Sequence, residues 1–402
     1  MILTNIRKKL TILLALTLLL TLLPQVCFAE SYKASPNRDP ASYSSSRPDK
    51  LSGDMLVATS AVAVDAYTGR VLFSKQPDRK IYPASTTKVM TALLAIERGN
   101  LQDEVTCSEN AFGLSGTSIY LQQGETLTLE ELLLGLMLSS GNDAAVAIAE
   151  YIGGTTAAFV DLMNARARQL GAVNTHFANP HGLPDDAHYT TAYDLALIAR
   201  EAMGNDTFRR IVSTQRASIS WAGRTYNRQL TNKNRLLSTY PGATGVKTGF
   251  TSRAGRCLVF GARRDGLELI GVVLGCPDWF DEAERLMDGC YDTYSMVCAL
   301  GLTQSAGQMP VTGGRSDTVG MCVMEPLSAP LCEGEAAQVV LDVPRSVTAP
   351  VYPGMHLGTA SLVVGGRKLA SAEAVASGHV DSRHLTMDVR RVVARWVLSR
   401  KP

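Results

Sequence analysis

The chain has 402 residues, 46% of them hydrophobic, and a formal charge of only +2 from 39 Lys and Arg against 37 Asp and Glu. That length and apolar content supply a large core and a second domain, and the balanced charge, with no basic stripe before the C-terminal end, argues against a nucleic-acid partner. Eight cysteines, seven of them beyond residue 29, and six histidines lack Cys-x-x-Cys and His-Glu-x-x-His spacings, which argues against a full disulfide framework and leaves no metal site or other cofactor to expect.

Residues 1–29 read as a signal peptide. Arg7-Lys8-Lys9 is basic, Leu10 to Leu23 is apolar but short for a membrane span, and Cys27-Phe28-Ala29 fits a cleavage site. Cys27 raises a lipoprotein alternative, which Pro24-Gln25-Val26 fits poorly because small residues are wanted just before a lipidated Cys. Residues 30–54 are rich in Ser, Pro, Arg and Asp without apolar period, the composition of a flexible leader. A hairpin around Ala61–Phe73 then opens a domain expected to run over residues 55–302.

The first chemical motif is Ser85-Thr86-Thr87-Lys88. Val89, Met90, Leu93, Leu94 and Ile96 recur at roughly helical period up to Gly99, so a helix is expected from Ser85, with Lys88 one turn on and on the same face. A serine hydroxyl needs a base to become a nucleophile. A lysine serves only when its amine is neutral, which burial and neighbouring positive charge favour.

The second motif is Ser140-Gly141-Asn142. It follows the apolar run Leu132 to Leu138 and precedes another from Asp143, so Ser140 and Asn142 are expected on a turn between two buried helices. Alone, this triplet reads equally as an ordinary helix–helix turn. The segment Ala178 to Asp194 holds Asp185, Asp186 and Asp194 but no Glu. His181 and His188 in it read as loop residues rather than catalysts.

The third motif, Lys247-Thr248-Gly249, follows the Pro241-Gly242 turn signal, and two further strand-like runs, Cys257–Ala262 and Leu267–Leu274, are joined through Asp265-Gly266. Three consecutive antiparallel strands are expected, with Lys247 on the first as the second cation that keeps Lys88 neutral. Ser-x-x-Lys, Ser-x-Asn and Lys-Thr-Gly in this order mark enzymes that acylate a serine.

Residues 303–380 are Val-, Gly- and Pro-rich. Runs at Ala337–Val343, Ala360–Val364 and Lys368–Ala374, the last two joined at Gly365-Gly366, suggest a small β-sandwich-like domain. In residues 382–402, Val389, Val392, Val393, Trp396 and Val397 fall at helical spacing among Arg390, Arg391, Arg395, Arg400 and Lys401. That pattern is a basic amphipathic helix suited to an anionic membrane surface. Of the seven remaining cysteines, Cys322 and Cys332 are the pair to consider for a bridge.

On these motifs, together with Asn174-Thr175-His176-Phe177, His181-Gly182-Leu183 and Tyr189 to Asp194, the chain resembles the penicillin-binding serine D-alanyl-D-alanine carboxypeptidases of low molecular mass, in wording closest to Firmicute-type members. The resemblance covers roughly Val57 to Leu302. It implies an α+β fold of the serine β-lactamase and penicillin-binding class, an antiparallel sheet flanked by helices. It implies removal of the terminal D-alanine from peptidoglycan stem pentapeptides through an acyl-Ser85 intermediate, acylation by β-lactams, and residence at the outer face of the cytoplasmic membrane or in the medium.

The resemblance makes Ser85 the nucleophile, Lys88 the proton acceptor and Ser140 a proton relay. Asn142 orients substrate, Lys247 and Thr248 receive the carboxylate, and the N–H groups of Ser85 and Phe250, next to Gly249, form an oxyanion hole. Many relatives also carry an arginine beyond the last strand. Gly275 to Trp279 has none, which leaves Lys247 and Thr248 alone, or Arg253 or Arg256, for that task. A D,D-endopeptidase, a slow β-lactamase and a β-lactam sensor are the alternatives. The missing loop Glu disfavours β-lactam turnover.

Overall fold

The computed structural model describes residues 56–383. The expected signal peptide and all but two residues of the expected C-terminal helix lie outside them, and of the leader none is described. Ser382, at the start of that expected helix, instead forms an antiparallel bridge with Gly314.

The N-terminal part is built on one antiparallel sheet. Strands β1 (Ser60–Asp65) and β2 (Val71–Lys75) form the expected hairpin. The three late strands are β7 (Ala243–Thr251), β8 (Gly255–Arg264) and β9 (Leu267–Leu274), and the sheet order is β2-β1-β9-β8-β7. Between these groups come β3 (Glu104–Thr106), β4 (Thr126–Thr128), β5 (Arg216–Ile219) and β6 (Arg228–Thr231), which form two small hairpin sheets.

The helices are α1 (Lys88–Arg98), α2 (Leu129–Leu138), α3 (Asn142–Gly153), α4 (Thr156–Gln169), α5 (Ala192–Met203), α6 (Asp206–Ser213), α7 (Leu236–Thr239) and α8 (Trp279–Thr293). Strand alternation divides the sheet between two cores. Val62, Val64, Val259, Ile270 and Val272 face the large cluster shared with α1, α2, α3 and α5. Ala61, Ala63, Leu258, Phe260, Leu269 and Val273 face Phe280, Leu286, Met287 and Cys290 of α8.

Helix α1 is the centre of the helical layer, with every residue from Lys88 to Ala95 buried. Its start departs from expectation. Ser85 does not open an α-helix; Ala84–Thr87 form a 3-10 turn and α1 begins at Lys88. Thr86 and Thr87 donate their hydroxyls to the carbonyls of Pro83 and Ala84 at 2.6 and 2.9 Å, the local side-chain bonding that tightens a first turn.

The second part is all β. Strand β10 (Tyr294–Leu300) pairs with β13 (Leu327–Cys332). The other strands are β11 (Gly307–Thr312), β12 (Thr318–Val323), β14 (Ala337–Asp342), β15 (Val347–Thr348), β16 (His356–Val364) and β17 (Arg367–Ala376), in a sheet of order β14-β16-β17-β12-β11-β15. Leu300, Leu327, Ala329 and Leu331 of the pair pack on Ala360, Leu362 and Ala372 of the sheet, so two layers enclose a core. Strand β10 lies before residue 302 yet pairs with β13; Tyr294 and Met296 at its start still pack with the α8 core of the first part, and Leu300 at its end joins the β-core. Cys322 and Cys332 are both free thiols.

The β-part grips the edge of the first sheet. Arg70 donates to the Pro330 carbonyl at 2.6 Å and pairs with Glu335, and Tyr67 donates to the Pro326 carbonyl at 3.0 Å.

Candidate active site

The three motifs meet where α1, the α2–α3 turn and β7 converge. Ser85 projects from the 3-10 turn, and Lys88 Nζ lies 3.1 Å from its Oγ. Lys88 is fully buried. Its amine donates to Asn142 Oδ1 at 2.8 Å and to the His181 carbonyl at 2.6 Å. Burial first, then the charges of Lys247 and Lys233, hold its pKa well below the usual lysine value.

Asn142 cannot turn round. Its Nδ2 donates to the Ser115 carbonyl at 2.7 Å, and a carbonyl only accepts, so Oδ1 faces Lys88. Asn142 was expected on the turn but is the first residue of α3, with Gly141 as its cap. Ser140 is buried and adopts φ +65°, a left-handed conformation that costs about 1–3 kcal/mol in a non-glycine residue and collects at functional sites. Asp143 organises the facing segment, accepting from the N–H groups of Ile119 and Leu121 at 3.1 and 3.0 Å and from the Ser118 hydroxyl.

Strand β7 forms the opposite wall. Lys247 is buried, its Nζ donates to the Thr248 carbonyl at 2.9 Å, and burial followed by the charge of Lys233 pushes its pKa down to about 7. Gly249 passes against the nucleophile. A Cβ there would stand 2.8 Å from the Ser85 nitrogen and 3.0 Å from that of Thr86. The Phe250 side chain is 63% exposed, so its contribution to the site is its backbone. Arg253 instead meets Tyr82 and Asp186, and Arg256 donates to the Pro277 carbonyl at 2.6 Å.

Of the eight residues singled out in the sequence, Ser85, Lys88, Asn142 and Gly249 are in direct contact and Lys247 is close enough for its charge to lower the Lys88 pKa; Ser140, Thr248 and Phe250 are their chain neighbours on the same turn and strand. The sequence reading missed the His181 carbonyl, because a main-chain acceptor has no side-chain signature. It also missed Lys233, whose only signal was a cation in the polar run Thr231 to Asn234, and Asp143, read there only as the start of a helix. Among the described residues no group of His, Cys, Asp and Glu is arranged to hold a metal ion.

Residues 47–278 match the family described as D-alanyl-D-alanine carboxypeptidase. The chain belongs to that family. It is 33% identical over 350 residues to the D-alanyl-D-alanine carboxypeptidase DacF of Bacillus subtilis, covering 84% of this chain and 90% of that one. It is 39% identical over 252 residues to a D-alanyl-D-alanine carboxypeptidase of a Streptomyces species, covering 58% and 87% of the two chains. Among solved structures, penicillin binding protein 5 of Haemophilus influenzae superposes with a TM-score of 0.67 at 27% identity, over 84% of this chain and all of that one. The protein is a serine D-alanyl-D-alanine carboxypeptidase of the low-molecular-mass penicillin-binding group, and a D-Ala-D-Ala peptidoglycan substrate and β-lactam binding accord with that group.

Proposed function

We propose that this carboxypeptidase works through an acyl ester on Ser85, with Lys88 as the base, on stem pentapeptides of peptidoglycan. One observation supports this most directly. A neutral amine has two N–H bonds and one lone pair. The Asn142 oxygen and the His181 carbonyl accept from Lys88 at 2.8 and 2.6 Å, which leaves the lone pair for the Ser85 hydroxyl at 3.1 Å.

In the first step Ser85 Oγ attacks the carbonyl between the two D-alanines as its proton passes to Lys88 Nζ. The new oxyanion is received by the backbone N–H groups of Ser85 and Phe250; a donor of this kind is typically worth about 2.7–4 kcal/mol. Ser140 carries a proton towards the departing amine. Lys247 and Thr248 hold the terminal carboxylate, and Asn142 the substrate amide. Water then releases the peptide from Ser85, with Lys88 again as base.

The assay is D-alanine release from a pentapeptide ending in D-Ala-D-Ala, beside labelling by benzylpenicillin. Mass spectrometry of the digested adduct finds the penicilloyl group on Ser85, and Ser85→Ala abolishes both activities. An adduct on another residue overturns the assignment.

We further infer that the protein is exported by residues 1–29 and held at the outer face of the cytoplasmic membrane by residues 382–402. The basic and apolar pattern of that end supports this reading.

A further inference from the structure

The turn that carries Ser85 is strained, and the groups that hold it reach beyond the three motifs. Ala84, the residue before the nucleophile, has φ +50°, a conformation that a side chain makes costly. Its carbonyl is the focus of two restraints. Gly182 leaves the space it occupies, since a Cβ there would stand 1.8 Å from the Ala84 oxygen. The Thr87 hydroxyl donates to the same oxygen at 2.9 Å.

Thr87 in turn meets His188 Nε2 at 2.7 Å. The direction of that bond follows from the other side of the ring. His188 Nδ1 lies 3.0 Å from the Ala178 nitrogen, whose N–H can only donate. Nδ1 therefore carries the lone pair and Nε2 the proton, so His188 donates to Thr87 and Thr87 donates to Ala84. The chain of donors runs one way, from the Ala178 N–H through the ring to the Ala84 carbonyl.

The ring has little freedom to leave this line. His188 is 1% exposed and packs edge-on against Phe177 at 5.7 Å. Phe177 is itself fixed by Asn164, which accepts from its N–H and donates to its carbonyl at 2.8 Å each. Burial above all pushes the His188 pKa down to about 4, so the ring is neutral at physiological pH, as the bonding requires.

We propose that His188 is a positioning residue for acylation: through Thr87 it fixes the Ala84 carbonyl, and with it the strained turn from which Ser85 reaches the substrate. It touches neither substrate nor reacting atoms. The proposal rests on Ser85 being the nucleophile.

Two amide substitutions separate this role from a purely structural one. His188→Gln keeps an N–H donor at the distance of Nε2 but loses the Nδ1 acceptor. His188→Asn keeps an acceptor for Ala178 but has no donor that reaches Thr87. With a fluorescent penicillin, the rate of acylation falls about 10- to 100-fold in His188→Asn, the scale of a small misplacement of reacting groups. It recovers to within about threefold of the parent in His188→Gln, and apparent affinity changes little in either. Thr87→Val reproduces the Asn defect, and the double variant Thr87→Val/His188→Asn is no slower than either single one, because both break one chain.

Thermal unfolding is measured on every variant. If Asn and Gln slow acylation equally and in step with their loss of stability, or if the Thr87 and His188 effects multiply, the relay is wrong. Ser85→Ala is run beside them. Labelling that survives in Ser85→Ala overturns the nucleophile, whereas labelling lost there with no Asn–Gln difference overturns only the relay.

Discussion

Asn142 Oδ1 and Lys88 Nζ are 2.8 Å apart, with the amide held in that orientation by the Ser115 carbonyl. A carboxylate in the same place would stabilise the lysine cation instead of accepting from its neutral form. Asn142→Asp is therefore expected to raise the Lys88 pKa and to slow acylation by about 10²–10⁴-fold at neutral pH, the usual contribution of a general base. The rate should climb again as pH is raised. Stopped-flow acylation across pH checks this, and a loss that stays flat with pH would refute it.

Lys88 and Lys247 are expected to set the pH range of the parent enzyme. Lys88 works neutral, and burial with Lys247 and Lys233 holds its pKa low. Lys247 works charged, and its pKa is about 7 in the free protein. Raising pH frees the base, while the carboxylate clamp discharges through about 7, so the alkaline limb of kcat/KM is expected to start near pH 7. In kcat the alkaline limb moves to higher pH, because a bound carboxylate stabilises the Lys247 ammonium. The two steps belong to the coupled pair. Lys247→Met removes a positive neighbour, so the acid limb should move to higher pH.

The reading from sequence located these groups because the chemistry is local to short motifs. Ser85 and Lys88 are one turn apart, and the hairpin signal Asp265-Gly266 fixes the strand beside Lys247. It misjudged the start of α1, since the choice between a 3-10 turn and an α-helix depends on the strained Ala84 and on Gly182, nearly a hundred residues away. The partners of Lys88 were half visible for a related reason. Asn142 is a side chain in a motif, while His181 contributes only its backbone, whose position depends on the packing of the whole 178–191 segment.

At Gly249 a single methyl group would strike the backbone that carries the nucleophile. Its Cβ would stand 2.8 Å from the Ser85 nitrogen and 3.0 Å from that of Thr86, and the Ser85 N–H is one of the groups proposed to receive the oxyanion. Gly249→Ala should keep its secondary structure while shifting the Ser85 turn, and lose about 10²–10³-fold in kcat, as when one oxyanion donor is removed. Circular dichroism and steady-state kinetics together test it; a variant with parental kcat would contradict the placement of the oxyanion.

Away from the chemistry, Arg228 and Glu125 form a buried pair at 2.7 Å that ties β6 to the segment leading into β4. Removing one partner leaves the other charge buried, so Arg228→Met should lower stability by about 3–5 kcal/mol. Burial alone would raise the Glu125 pKa, but its hydrogen bonds from Arg228, Gln122 and Ala222 hold it below the usual value. Its contribution is present above the unfolded carboxylate range and is lost as pH falls through the lowered folded value. Urea unfolding at pH 7 and pH 3 should show the gap between parent and variant narrowing in acid.

For the C-terminal end, removing residues 382–402 should leave activity on a soluble pentapeptide intact and abolish binding to anionic vesicles, with salt weakening the full chain's binding at roughly 1 kcal/mol per basic residue near the surface. Equal partitioning of the two proteins would disprove the anchor.

The segment 178–191 has a further consequence for antibiotics. Its carbonyls at Pro180 and His181 are committed to Thr91 and Lys88, and it contains no Glu to recruit a second water-activating base. A penicilloyl group on Ser85 is therefore expected to leave slowly. Each molecule of enzyme is then expected to remove one molecule of drug and to be retired with it. The protection such a protein gives a cell is a matter of stoichiometry: how many copies stand in the path of the antibiotic, and how fast they are replaced.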